Sequence, residues 1–276
     1  MTETPVEQIE LDLLLEALYQ RHGRDFRAYA RASLERRVLA FLPASGVPTV
    51  ADLIPKVLRD AAFSDRLAEA LSRASPREMF RNPAFFRALR DRIVPVLKTW
   101  PSVKVWLAGC STGEELYAVA IVLAEEHLAD RTTLYATDAN DAALGKARDG
   151  IYGVERLQDF TLAYQAAGGT GSFSEYYRAR YGSAIMIPEL KANITFVNHN
   201  LATDGPLGEM HLVLCRNVLL DFNEALHNRV IGVFAESLAR GGFLCLGTKE
   251  NLLGSAAASK FETVDCDTRI YKRVGR

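Results

Sequence analysis

Val103-Lys104-Val105-Trp106-Leu107-Ala108-Gly109-Cys110-Ser111-Thr112-Gly113-Glu114-Glu115 reads as a short apolar strand, a glycine-bearing turn and the start of a helix. In that arrangement backbone N–H groups and the positive end of the helix converge above the strand's carboxyl end, where open α/β sheets hold their ligands. Gly109 and Gly113 let the chain turn tightly and let a ligand approach the backbone. The spacing is not G-x-G-x-x-G, and Glu114 and Glu115 stand where a pyrophosphate would be repelled. A ligand with a positive group suits this turn better than a dinucleotide.

Outward from this stretch, short β-branched or apolar runs alternate with helices, the pattern of buried parallel strands joined by crossover helices. Strands are predicted at Val103 to Leu107, Thr132 to Thr137, Ile194 to Asn198, Met210 to Cys215 and Phe243 to Gly247. Phe261 to Asp265 and Arg269 to Arg273 lie so close in sequence that they predict an antiparallel hairpin. The fold class is therefore α/β, a Rossmann-like sheet closed by a C-terminal antiparallel hairpin. Residues 150–193, with Gly168-Gly169-Thr170-Gly171 and no clear period, read as an insertion near the ligand site.

Upstream the pattern is helical. Thr4-Pro5-Val6-Glu7 predicts a capped helix start with proline at the first helical position, and Gly23 a left-handed end. Further helices are expected at about 25–42, 49–60 and 64–73, with Pro43-Ala44-Ser45-Gly46 as a break and Ser64 as a cap. This gives a small all-helical domain over 1–75, a linker over 74–82 and a sheet domain over 83–276.

The chain has 276 residues, enough for two such units, and its hydrophobic fraction of 49% and charged fraction of 24% are those of an ordinary globular protein. A net charge of −1 argues against a nucleic-acid partner, and no apolar run approaches the length needed to insert in a membrane. Met1 to Asp12 is acidic and carries no secretory signal, so the expected location is the cytoplasm. Cys110, Cys215, Cys245 and Cys266 are scattered without metal-ligand spacing; reduced thiols in apolar surroundings, and no metal, are expected.

The second strand ends Tyr135-Ala136-Thr137-Asp138, placing an acid where it can accept hydrogen bonds from both hydroxyls of a ribose. The bland reading of Asp138 is an N-cap for the helix starting near Asn140. Glycine turn and acid together, in that order, point to a nucleoside cofactor.

Ala108-Gly-Cys-Ser-Thr-Gly-Glu-Glu115, Ala136-Thr-Asp138, Ala147-Arg-Asp-Gly-Ile-Tyr152 and Cys215-Arg-Asn-Val218, with Glu78-Met-Phe-Arg-Asn-Pro83 and His199-Asn-Leu201, resemble the chemotaxis receptor methyltransferases, the CheR family. The resemblance runs from the Ile9 helix to the Ile270-Tyr271 strand. It implies an S-adenosylmethionine-dependent methyltransferase sheet, with S-adenosyl-L-methionine as cofactor and S-adenosyl-L-homocysteine as product. It also implies methyl-ester formation on glutamates of a methyl-accepting chemoreceptor-like protein. Cofactor contacts are implied for Gly109 and Gly113, for Arg81 and Glu114 near the methionine part, for Asp138 on the ribose and for Asn200 and Leu201 around the adenine. Arg81, Arg216 and Asn217 are implied beside the reacting groups.

Two departures stand out. Ser75-Pro76-Arg77 replaces the family's threonine before the Glu-Met-Phe-Arg stretch, and Asp221 stands where the family usually has tyrosine. Either departure is compatible with slower catalysis, another acceptor, or a CheR-like module that senses cofactor or binds a partner without methyl transfer. Arg24, Arg27 and Arg31 recur at helical spacing, followed by Arg36 and Arg37. They form a basic stripe in the domain that, by the resemblance, touches the acidic helical bundle of the receptor; a solvated charged face is the plainer reading.

Overall fold

The computed structural model describes residues 5–72 and 78–275. Thr4 and Ser75-Pro76-Arg77 lie outside the described residues, as does the first part of the expected linker, residues 74–77. The chain forms two compact units, Met1–Arg73 with Leu220–Arg229, and Ala74–Leu219 with Val230–Arg276. The segment Leu220–Arg229 thus packs with the helices, although its place in the sequence assigns it to the sheet domain.

In the helical unit the first helix is Val6–His22, with Pro5 as the cap residue rather than the first helical one. Leu11, Leu14, Leu15 and Leu18 follow helical spacing and are buried. At its end Gly23 adopts φ 68°, with its N–H on the Tyr19 carbonyl and that of Arg24 on the Leu18 carbonyl. A Cβ at Gly23 meets nothing within 4 Å, so Gly23→Ala isolates the backbone cost. A loss of about 1 kcal/mol is expected in chemical denaturation.

The second helix, Arg31–Ser45, corrects two expectations. It starts later than residue 25, because residues 24–30 turn and form a β-bridge between Tyr29 and Phe222. It also runs through Pro43 to a left-handed Gly46, since a proline in the last turn removes only one helical hydrogen bond. Leu53–Arg59 and Ala61–Ser72 complete the unit. Asp60, not Ser64, starts the last of these: its carboxylate accepts from the Phe63 N–H at 3.0 Å, while Ser64 is buried within the helix.

The basic stripe does not form. Arg24 and Arg27 are outside any helix, and Arg24 pairs with Asp65 at 2.6 Å, Arg27 with Asp25 at 2.9 Å and Arg31 with Asp12 at 2.5 Å. The returning segment is tied down similarly: Ser33 and Arg37 donate to the Asp221 carboxylate at 2.6 and 2.7 Å, and the Ala30 N–H donates to its carbonyl at 2.6 Å.

Among its described residues the sheet unit holds ten strands: β1 Val103–Ala108, β2 Thr132–Asp138, β3 Ile151–Gly153, β4 Tyr177–Arg180, β5 Ser183–Met186, β6 Ile194–Asn198, β7 Met210–Cys215, β8 Leu238–Leu246, β9 Phe261–Asp265 and β10 Ile270–Arg273. Seven of them form one sheet in the order β6-β2-β1-β7-β8-β10-β9. The pairings from β6 to β8 are parallel, and β10 runs antiparallel to both neighbours, as the hairpin spacing predicts. β8 begins before the expected Phe243, with an irregularity in its pairing between Met210 and Leu212. The region 150–193 is not irregular throughout, for β3, β5 and β4 pair there as a small antiparallel sheet.

β1 sits mid-sheet, and successive strands go first to one side of it (β2, then β6) and then to the other (β7, then β8). The loops after β1 and β7 therefore flank the switch point, the usual ligand crevice of such sheets. Behind the turn, the helix Glu114–Glu125 buries ten consecutive residues from Glu114 to Leu123, fixing its N-terminus firmly. Cys110, Cys215 and Cys245 are buried and in no disulfide, whereas Cys266, in the hairpin turn, is exposed rather than apolar-packed.

Candidate active site

The site lies within the sheet unit, at the carboxyl edge of β1, β2, β6 and β7. After β1 the chain reverses at Gly109 (φ 73°), Ser111 (φ 51°) and Gly113 (φ 91°). The N–H groups of Gly109 and Cys110 both donate to the Thr137 carbonyl at 2.8 Å, pinning the turn to the end of β2. A Cβ on Gly109 would lie 2.7 Å from Val218, so glycine is required both by φ and by the loop after β7.

Asp138 is held from two sides. One carboxylate oxygen accepts the Ser111 N–H at 2.9 Å, the other the Asn140 N–H at 3.0 Å. It is not the cap of the next helix; Asn140 is, accepting from the Ala143 N–H at 3.0 Å. A carboxylate oxygen accepts more than one hydrogen bond, so a carboxylate oriented by two backbone amides is a pre-set acceptor. His199 donates its N–H to the Asp138 carbonyl at 3.2 Å, which brings Asn200 and buried Leu201 to the same edge. Asn200 is itself fixed, its side-chain oxygen accepting from Ala202 and its N–H donating to Asp204, each at 2.9 Å.

Glu114 and Glu115 both carry a cationic partner. Glu114 is 2% exposed and accepts from Arg156 at 2.8 Å and from the Thr112 hydroxyl at 2.6 Å. Glu115 accepts from Arg216 at 2.9 Å. Arg216, 4% exposed, also donates to the Arg81 carbonyl at 3.1 Å and lies 4.0 Å above the Phe85 ring. Its guanidinium thus anchors the backbone of Arg81, whose own side chain is exposed. Phe80 and Asn82, on either side of Arg81, have φ 56° and 60°. Asn217, next to Arg216, has φ 60°. Non-glycine residues in this region carry strain of about 1–3 kcal/mol each and persist only where neighbours over-determine them.

For Asn217 that neighbour is Glu250. Its carboxylate, 3% exposed, accepts backbone N–H groups from Asn217 at 2.8 Å, Leu219 at 2.7 Å and Gly247 at 2.5 Å. Burial pushes this carboxyl above the usual carboxylate range, while the amide donors pull the other way. Gly247 has no room for a side chain, because a Cβ there would come within 2.9 Å of the Asn217 amides. Neither Glu250 nor Arg156 is singled out by sequence; the only hint of the former is a glycine three residues before an acid at the end of a buried strand.

Residues 77–270 match the family described as CheR methyltransferase, SAM binding domain, and residues 9–72 match CheR methyltransferase, all-alpha domain. The chain belongs to the CheR methyltransferase family. Among CheR relatives, a Pseudomonas putida protein with the provisional name methyltransferase Cher3 is 46% identical over 99% of this chain and 100% of its own. The chemotaxis protein methyltransferase of Listeria monocytogenes is 27% identical over 85% of this chain and 87% of its own. Chemotaxis protein methyltransferase 1 of Vibrio cholerae is 30% identical over 70% of each chain.

The cofactor of this CheR chain is S-adenosylmethionine, and the residues present fit it. Asp138 is an oriented acceptor of the kind ribose hydroxyls need, Gly109 and Gly113 add no side chains at the two ends of the turn, and Glu114 is a carboxylate of the kind an ammonium group needs. Asp221 is bound within the helical unit by Ser33 and Arg37. No described helix is long and apolar enough to cross a membrane.

Proposed function

We propose that this CheR-family protein forms methyl esters on glutamate side chains of a cytoplasmic chemoreceptor-like signalling protein, leaving S-adenosylhomocysteine as product. The observation that carries the reading is the Asp138 carboxylate, oriented by two backbone amides beside a glycine-bounded turn at the sheet's switch point. The cofactor supplies a methyl group on a cationic sulfur. A glutamate acceptor, with a pKa of about 4.3, is already ionised at neutral pH, so the protein needs no general base. Its residues have to exclude water and align the acceptor. Arg81, exposed but with its backbone clamped by Arg216, is suited to hold the incoming carboxylate by two parallel hydrogen bonds. Asn217, locked by Glu250, completes the wall with Arg216. Gly109, Gly113, Glu114, Asn200 and Leu201 line the cofactor side.

A second reading, a CheR-like module that binds cofactor and partner without transfer, is favoured by one observation. Asp221 replaces the tyrosine of the family, and its carboxylate is spent on Ser33 and Arg37. Incubation with methyl-labelled cofactor and receptor cytoplasmic fragments separates the two: base-labile label supports esterification, and cofactor binding without label supports the module. Label stable to mild alkali overturns the glutamate assignment. Asp138→Ala is expected to weaken cofactor binding at least tenfold in calorimetry, about 1.4 kcal/mol. Unchanged affinity would remove the ribose role.

A further inference from the structure

β6 ends at Asn198, and the chain turns at once into the loop 199–205, which carries Asn200 and Leu201. The loop is closed on itself. The Asn200 carbonyl accepts the N–H groups of Thr203 at 3.1 Å and Asp204 at 2.8 Å, and the Asp204 carboxylate accepts the Asn200 N–H and the Thr203 hydroxyl, each at 2.9 Å. These bonds set the loop's own shape, and His199 joins it to the sheet. Its ring packs edge to face on Trp106 of β1, with centroids 5.3 Å apart and planes at 86°. Trp106 is wholly buried, its indole N–H donating to the Thr137 hydroxyl at 2.9 Å. From that seat the imidazole Nε2 reaches the Gly205 carbonyl at 3.0 Å, spanning the loop from its first residue to its last.

A carbonyl oxygen only accepts, so Nε2 carries the proton and donates it to Gly205. Nδ1 is buried without a hydrogen-bond partner, and the residue as a whole is 7% exposed. Burying an unpaired ring nitrogen is unfavourable, and a phenyl ring would fill the space beside Trp106 without that cost. What imidazole adds at this position is the bond across the loop. Trp106 also connects the loop to the glycine turn, because its partner Thr137 is the residue whose carbonyl accepts from Gly109 and Cys110. The turn after β1 and the loop after β6 are thus fixed against the same buried pair. We propose that His199 is a positioning residue that holds loop 200–205 in the shape that receives the adenine ring. It acts through Asn200 and Leu201 and is not itself a cofactor contact. This rests on the cofactor pocket assigned above.

The test compares His199→Phe, which keeps a ring on Trp106 but removes the donor, with His199→Gln, whose side-chain amide can still donate to a carbonyl. Calorimetry with S-adenosylhomocysteine reads the site, and amide hydrogen exchange of the full chain reads the loop. In His199→Phe, binding is expected to weaken about tenfold, and the amides of Thr203 and Asp204 to exchange at least tenfold faster, while those of β1 and β2 keep their protection. His199→Gln should return both readouts to within about threefold of the unmodified protein. A purely space-filling role predicts the reverse order, with phenylalanine the better substitute. Binding within twofold of wild type in His199→Phe, or equal impairment of the two variants, would overturn the proposal. Protection lost throughout β1 and β2 in His199→Phe would make the residue a core group only, and would overturn it as well. An unmodified protein that does not bind S-adenosylhomocysteine is a separate result, which removes the cofactor reading itself.

Discussion

Glu250→Ala is expected to destabilise the sheet unit by about 3–4 kcal/mol and to weaken cofactor binding more than tenfold. The wild-type carboxylate satisfies the N–H groups of Asn217, Leu219 and Gly247, all in a region that little water reaches. Truncation leaves these donors without an acceptor, at about 1–3 kcal/mol each, and water entering the vacated space recovers part of the loss. It also releases the restraint on Asn217, whose φ of 60° would relax and carry the loop away from its position after β7. Glu250→Gln should fall between, since its amide nitrogen would face N–H donors where the wild type offers only oxygens. Equilibrium urea unfolding of the full chain, followed through the sheet unit's transition, measures the first effect and calorimetry the second. A Glu250→Ala protein within 1 kcal/mol of wild type would show that the buried carboxylate does not hold the loop.

Asp221→Tyr, the change to the residue that the sequence resemblance implies at this position, is expected to cost the helical unit about 2–3 kcal/mol. Its carboxylate accepts a hydroxyl from Ser33 and a guanidinium hydrogen bond from Arg37, whose side chain is only 14% exposed. Hydrogen bonds to charged groups of this kind contribute about 1.5–3 kcal/mol, and a phenol cannot replace the anion. Arg37 also donates to the Leu71 carbonyl, so losing Asp221 leaves the guanidinium partly satisfied and the cost below that of a fully buried broken pair. A double-mutant cycle with Arg37→Met should give a coupling of at least 1 kcal/mol in urea denaturation, and additive single effects would dispose of the pairing. Restoring the tyrosine therefore requires a compensating change at Arg37.

Much of this architecture was legible because its determinants are local. The run from Val103 to Glu115 contains a buried strand, two residues free to take positive φ and an acidic helix start, all within one stretch of chain, and the structure follows it closely. The hairpin of β9 and β10 was legible for the same reason, its turn being too short for any other pairing. The small sheet was not. β4 is largely exposed along its length and β3 has only Tyr152 buried, so neither shows an alternating apolar face; pairing such as Ile151 with Ile185 defines them.

The basic stripe is absent because Arg24 and Arg27 lie outside any helix, and the spacing of the arginines does not reveal the acids that pair with them. Asp12 and Asp65 are distant in sequence from the arginines they neutralise. Within the site, the glycines and Asp138 were visible as strand-end residues. The burial and clamping of Arg216, the support from Glu250 and the approach of Arg156 depend on tertiary neighbours and leave no periodic trace.

The returning segment Leu220–Arg229 makes the helical unit discontinuous in the chain. A fragment ending at the fourth helix lacks Asp221 and Phe222, and with them the partners of Ser33, Arg37 and Tyr29. On the ribosome, at about 5–20 residues per second, the first helices wait on the order of 10–30 s for the stretch that completes them. Maturation of the amino-terminal part is thereby timed by synthesis of most of the sheet. Exchange of that part between homologues is expected to succeed only when the distant ten-residue piece travels with it.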